Sequence, residues 1–94
     1  MKTGKYITID NADNVAVALT DLVCGEKIPV GYAEIILKDN ITRAHKFAIA
    51  NIAIGENVIK YGYPIGKAIK DISVGQHVHT QNLKTGLEGK LEYT

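Results

Sequence analysis

Asn51-Ile52-Ala53-Ile54-Gly55-Glu56-Asn57-Val58 reads as a tight turn between two apolar runs, and the chain writes it more than once. Asp21-Leu22-Val23-Cys24-Gly25-Glu26-Lys27-Ile28 and Asp71-Ile72-Ser73-Val74-Gly75-Gln76-His77-Val78 obey the same rule. The rule is Asp or Asn, an apolar residue, two variable residues, Gly, two variable residues, then a β-branched residue. Gly is the fixed point. Without a Cβ it can take positive φ and turn the chain where another residue would be strained. Each unit follows an apolar stretch: Val15-Ala16-Val17-Ala18-Leu19, Phe47-Ala48-Ile49-Ala50 and Ile65-Gly66-Lys67-Ala68-Ile69. The unit is therefore strand, glycine turn, strand. Its copies start at unequal intervals, so the chain is not a solenoid of equal repeats but one compact domain that reuses a corner. The fold class expected is mostly β, with helix confined to a turn or two.

The flanking segments fit that class. Tyr6-Ile7-Thr8-Ile9 reads as a first strand, ended by Asp10-Asn11-Ala12-Asp13-Asn14, whose short polar side chains satisfy nearby backbone. Residues 30–37 read as another strand and Lys38-Asp39-Asn40 as the next turn. In Val58-Ile59-Lys60-Tyr61-Gly62-Tyr63-Pro64-Ile65-Gly66 the Gly and Pro residues break regular pairing, so a bulge or an exposed excursion is expected. The one window with a helical look, Asp13 to Leu22, alternates its β-branched residues and reads better as strand. The tail after Asn82, with Lys84-Thr85-Gly86 and Gly89-Lys90, is a terminal strand or an arm against a partner.

Ninety-four residues make a single domain, 1–94, with a modest core. The net charge is +1 and the Lys and Arg residues are scattered, against the concentrated basic surface that nucleic acid requires. No apolar run approaches the ~18 residues of a membrane span, and no signal-peptide pattern is present. Cys24 is the one cysteine, which excludes an internal disulfide and suits a reducing cytoplasm. It occupies a variable corner position and reads as structural.

Aligning the corners separates core from chemistry. Ile28, Val58 and Val78 share a column that should face inward, so His77 and His79 leave the opposite face of their strand. Two imidazoles at i and i+2 can share a metal ion or an anion, or be two solvated side chains. His45 aligns with Val15 and Ile65, a column that calls for a partly buried, hydrogen-bonded histidine. Lys46 and Arg43 beside it could make an anion-attracting corner. Lys60 and Tyr61 fall where strand pairing does not dictate residue type, and read equally as functional or as a solvated lysine and a packing tyrosine. No phosphate cradle, Cys-x-x-Cys framework or nucleophile elbow is present. As chemistry, the chain is incomplete.

His45-Lys46-Phe47-Ala48-Ile49, then Asn51-Ile52-x-x-Gly55-Glu56-x-Val58-Ile59-Lys60-Tyr61-Gly62, resemble the N-terminal region of altronate and galactarate dehydratases. So do Ile65-Gly66-x-Ala68 and Asp71-Ile72-x-x-Gly75-x-His77-Val78-His79-Thr80-x-Asn82-Leu83, and Asp13 to Leu19 fits the same family's opening. The resemblance covers about residues 6–84 and implies an SAF domain, a β-clip fold. It implies a hydro-lyase acting on sugar acids with a divalent metal, typically iron, in the assembled enzyme. The resemblance places the larger catalytic region elsewhere, so this chain is expected to be a separate small subunit or an excised domain, inactive alone and able to form a homo-oligomer. The α subunit of a sulfolactate sulfo-lyase, similarly short, is the alternative. A non-catalytic SAF binding module is a second one. On the lyase reading His77 and His79 act catalytically or as metal ligands at a shared interface, and His45, Lys46, Lys60, Tyr61 and Asn82 bind substrate.

Overall fold

A computed structural model describes residues 4–85, and all regular structure within them is strand. The elements are β1 (Tyr6–Ile7), β2 (Val15–Ala18), β3 (Lys27–Val30), β4 (Ala33–Ile36), β5 (Lys46–Ala48), β6 (Asn57–Lys60), β7 (Tyr63–Ala68), β8 (His77–Val78) and β9 (Leu83–Lys84). A central antiparallel sheet runs β1-β2-β5-β8, flanked by the hairpin β3-β4 and the three-stranded sheet β6-β7-β9. This is a small β-clip. The tail of the sequence contributes β9 through Leu83 and Lys84; Gly86, Gly89 and Lys90 lie outside the described residues.

Strand alternation splits the core in two. Phe47, Ala16, Ala18 and Tyr6 join Leu22, Ile28, Ile35, Leu37 and Ile41 in one cluster. Val15, Ala48 and Val78 join Ile52, Val58, Ala68, Ile72 and Leu83 in the other. The inward column holds, since Ile28, Val58 and Val78 are each fully buried.

Gly25, Gly55 and Gly75 take φ of 91°, 88° and 91°, so the three glycine corners are equivalent. A fourth corner, which the glycine rule does not find, is Asn40-Ile41-Thr42-Arg43-Ala44-His45-Lys46-Phe47, with Ala44 at φ 74° in the glycine position. The corners work in reciprocal pairs. Leu22 bridges Ile41, while Asn40 Oδ1 accepts from Cys24 N at 2.8 Å and Asp21 Oδ1 accepts from Arg43 N at 2.8 Å. Ile52 bridges Ile72, while Asp71 Oδ1 accepts from Ile54 N at 2.9 Å and Asn51 Oδ1 from Val74 N at 3.0 Å. The invariant Asp or Asn thus satisfies a backbone N–H of the partner corner, not its own. With the fourth corner included, the irregular spacing becomes regular. Asp21 to Asn51 is 30 residues and Asn40 to Asp71 is 31, the extra residue entering at the bulge in the β6–β7 pairing.

One strand expectation is corrected. Residues 30–37 are not one strand, because Gly31 at φ 62° starts a two-residue turn that folds β4 back on β3. Residues 58–66 carry the expected bulge, after Val58, within a paired hairpin. Its two-residue turn, Tyr61-Gly62, takes positive φ at both positions, 54° and 82°, as a type I′ turn requires.

Candidate functional site

β5 and β8 each leave a second corner of a pair and run antiparallel, Lys46 opposite Val78 and Phe47 opposite His77. Continuing that register by one residue sets His45 level with His79. Cross-strand partners share a face, so His45, His77 and His79 emerge together on the side of Phe47, while Lys46 leaves the other side with Val78. The rings stack with centroids 5.1 Å apart for His45–His77, 5.2 Å for His45–His79 and 5.7 Å for His77–His79. One nitrogen from each ring lies within 4.8 Å of the other two. His45 Nδ1 and His77 Nε2 are 2.9 Å apart.

The rest of the local structure holds β8 in place. Asp39 Oδ2 accepts from His77 N at 2.9 Å. Asn82 is buried, its Oδ1 accepting from His79 N at 3.0 Å and its Nδ2 donating to His77 O at 2.9 Å. Its amide is thus committed to backbone and positions the histidines, where substrate contact had been expected. Gln81 Nε2 lies 3.2 Å from His77 O and 3.4 Å from His77 Nδ1. A carbonyl oxygen only accepts, so the amide nitrogen faces it and also donates weakly to Nδ1. The His77 proton then sits on Nε2 and points at His45 Nδ1. Burial, then His45, His79 and Lys46, hold the His77 pKa below its ordinary value, against the opposing pull of Asp39.

His45 occupies a different column from the one the apolar alignment gave it. It is half-buried and hydrogen-bonded, but it directly follows the corner residue, where the other corners carry Glu26, Glu56 and Gln76. Those three side chains close their own corners: Glu26 Oε1 accepts from Val23 N at 3.1 Å, Glu56 Oε1 from Ala53 N at 2.8 Å and Gln76 Oε1 from Ser73 N at 2.6 Å. His45 does not cap its corner and turns to His77 instead. The comparable signal in the sequence was the run Asn40-Ile41 ahead of Ala44, legible only once Ala is allowed in the glycine position.

The remaining candidates sit apart from the rings. Lys46 is half-buried, and burial followed by the charge of Lys60 lowers its pKa. Lys60 Nζ lies 5.2 Å from the centre of the Tyr61 ring. Lys46 in turn is the smallest of the contributors that lower the His77 pKa, acting from the opposite face of the sheet. The Tyr61-Gly62 turn is held by Asp13, whose Oδ1 accepts from Gly62 N at 2.7 Å. Arg43 is exposed, and no described bond joins its guanidinium to the histidines. Cys24 is exposed and free, its Sγ donating to Lys38 O at 3.3 Å. No helix among the described residues is long and apolar enough to cross a membrane.

The strand order and the histidine face define a class, the small β-clip domain with three histidines at the end of its central sheet. Within it, the family model for the altronate/galactarate dehydratase SAF domain matches residues 4–86, and the chain belongs to that family. It is 48% identical over 89 residues to an altronate dehydratase of Escherichia coli, a match covering 95% of this chain and 18% of that one. The corresponding enzyme of Bacillus subtilis is 44% identical over 82 residues, covering 87% of this chain and 16% of its own. The (2R)-sulfolactate sulfo-lyase subunit alpha of Chromohalobacter salexigens is 33% identical over 87 residues, covering 85% of this chain and 93% of that subunit. The chain thus spans less than a fifth of the altronate dehydratases it matches and nearly all of the sulfo-lyase subunit.

Proposed function

We propose that this domain is the small, histidine-bearing part of a hydro-lyase that removes water from a sugar acid, working with a larger catalytic chain at its His45–His77–His79 face. The observation that carries the reading is the convergence of three imidazoles in a domain of this family. Elimination beside a carboxylate needs a base for the α-proton, an acid for the departing hydroxyl and a cation for the charge that develops on the carboxylate side. This chain offers imidazoles able to hold or pass a proton at that face, while Lys46 leaves the opposite side of the sheet. Among the described residues no acid–base pair of carboxylates stands at the face, so the set is completed from outside. The sulfo-lyase alternative is favoured by one fact, the near-complete coverage of a subunit that exists as a short chain.

The test is turnover of altronate, galactarate and (2R)-sulfolactate, each supplied with iron(II), by the purified chain and by the chain co-expressed with a dehydratase-like large chain. The expected result is no turnover alone and dehydration of a sugar acid when assembled. Sulfite release from sulfolactate would select the alternative. Turnover by the isolated chain would overturn the two-part reading. His79→Ala is expected to leave the domain folded, since exposed side chains contribute within about 0.5 kcal/mol, and to remove most of the assembled activity.

A further inference from the structure

We infer that His45, His77 and His79 form a site for one divalent first-row transition ion that this chain binds without a partner. The inference adds a ligand set to the proposed function and can stand or fall without it. It starts from a distance. Two nitrogens bound at ~2.1 Å to one ion and at right angles lie about 3 Å apart, whereas a tetrahedral pair lies nearer ~3.4 Å. His45 Nδ1 and His77 Nε2 are separated by 2.9 Å, the spacing of adjacent ligands on an octahedral ion. One nitrogen from each of the three rings lies within 4.8 Å of the others, and nitrogens on opposite sides of one ion are at most ~4.2 Å apart. Rotation of one ring closes that gap. His79 is the exposed member and has room to turn.

Donor chemistry narrows the ion. Three neutral imidazoles suit iron(II), cobalt(II), nickel(II) or zinc(II) and do not suit magnesium or calcium, which require oxygen. Three nitrogens on one sheet face leave the solvent side of the ion free for water or a carboxylate-bearing ligand. The outer contacts are half prepared. Asp39 and Asn82 fix the backbone of His77, as ligand positioning demands, but Gln81 donates toward Nδ1 and so keeps the proton on Nε2, the nitrogen that must coordinate. Gln81 thus opposes loading. A carboxylate in its place would accept from Nδ1–H and release the Nε2 lone pair.

The experiment titrates the chelator-stripped full chain with cobalt(II), read by visible absorption, and with zinc(II), read by calorimetry, with magnesium(II) as the comparison. One equivalent of cobalt(II) or zinc(II) is expected to bind, and magnesium(II) at least ~100-fold more weakly. His77→Ala should weaken cobalt(II) binding by ~100-fold, and Gln81→Glu, at an exposed position, should tighten it by up to ~10-fold. The tightening is a result that loss of folding cannot imitate. Absence of one-equivalent binding, or binding unchanged in both His77→Ala and Gln81→Glu, overturns the site. If the chain binds the ion as described but the assembled protein turns over no sugar acid, the functional reading fails and the metal site remains.

Discussion

The first corner pair and the second differ at one position that matters. Corners at Gly25, Gly55 and Gly75 each have glycine at positive φ and a Glu or Gln that caps the turn from within. The corner at Ala44 has neither. It holds a side chain in a backbone region that costs an L-residue roughly 1–2 kcal/mol, and it leaves Thr42 N without the side-chain cap the others enjoy. What it has in exchange is His45, turned onto His77. Local rules are broken where His45 stands, and backbone strain of that kind gathers at functional sites.

The comparison can be broken hardest at Gly75. A Cβ there would lie 2.3 Å from Ile36 O, on top of the strain of φ 91°, whereas Gly25 and Gly55 face open space. Gly75→Ala should lose about 3 kcal/mol or more in urea unfolding, against about 1 kcal/mol for Gly25→Ala or Gly55→Ala. Equal losses at all three would show that the contact between the halves is not tight.

Asp13 is next. Burial pushes its pKa up, but backbone N–H groups of Ile9, Gly62, Asp10 and Tyr61 outweigh this, so it titrates below the ordinary carboxylate range. Its folded pKa is depressed, so its contribution is fully present above about 3.9 and is lost as pH falls through the folded value. Asp13→Asn should cost about 2 kcal/mol at neutral pH, with a shallower acid-side loss than the parent, measured by urea unfolding across pH.

Ala44→Gly should sharpen the comparison by making the fourth corner like the rest. A gain of about 1 kcal/mol is expected, which for a domain this size raises Tm by ~4–8 °C. The smallest effect is His45→Gln, which restores a cap for Thr42 N. It should add about 0.5 kcal/mol while removing cobalt(II) binding, read by thermal unfolding and visible absorption on the same sample. A variant that loses both stability and metal would mean that His45 holds the corner as well as the ion.

These differences also explain what the sequence disclosed. Gly25, Gly55 and Gly75 are conspicuous because only glycine is cheap at positive φ, and the columns below them, Ile28, Val58 and Val78, followed at once. Ala44 hid the fourth corner because a strained alanine looks like any other, and with it went the pairing of corners and the true column of His45. His77 and His79 were legible from strand alternation. Their meeting with His45 was not, since it depends on the β5–β8 register and no spacing along the chain encodes that. Asn82 was drawn into the site by its neighbours, but its amide is consumed by backbone.

The reciprocal bridges have a kinetic consequence. Leu22 and Ile41 are 19 residues apart and Ile52 and Ile72 are 20, so closing either loop costs the same chain entropy to within about 0.1 kcal/mol. Neither half gains a lead from loop length, and the order of assembly passes to the hairpin inside each loop. The first turns at Gly31, where positive φ is free, while the second requires Tyr61 at φ 54° and carries a bulge. The β3–β4 loop should zip first and present β5 as the template on which the second half docks. Mutational φ-values larger for Ile28→Val than for Val58→Ala would show that order, and the reverse would refute it.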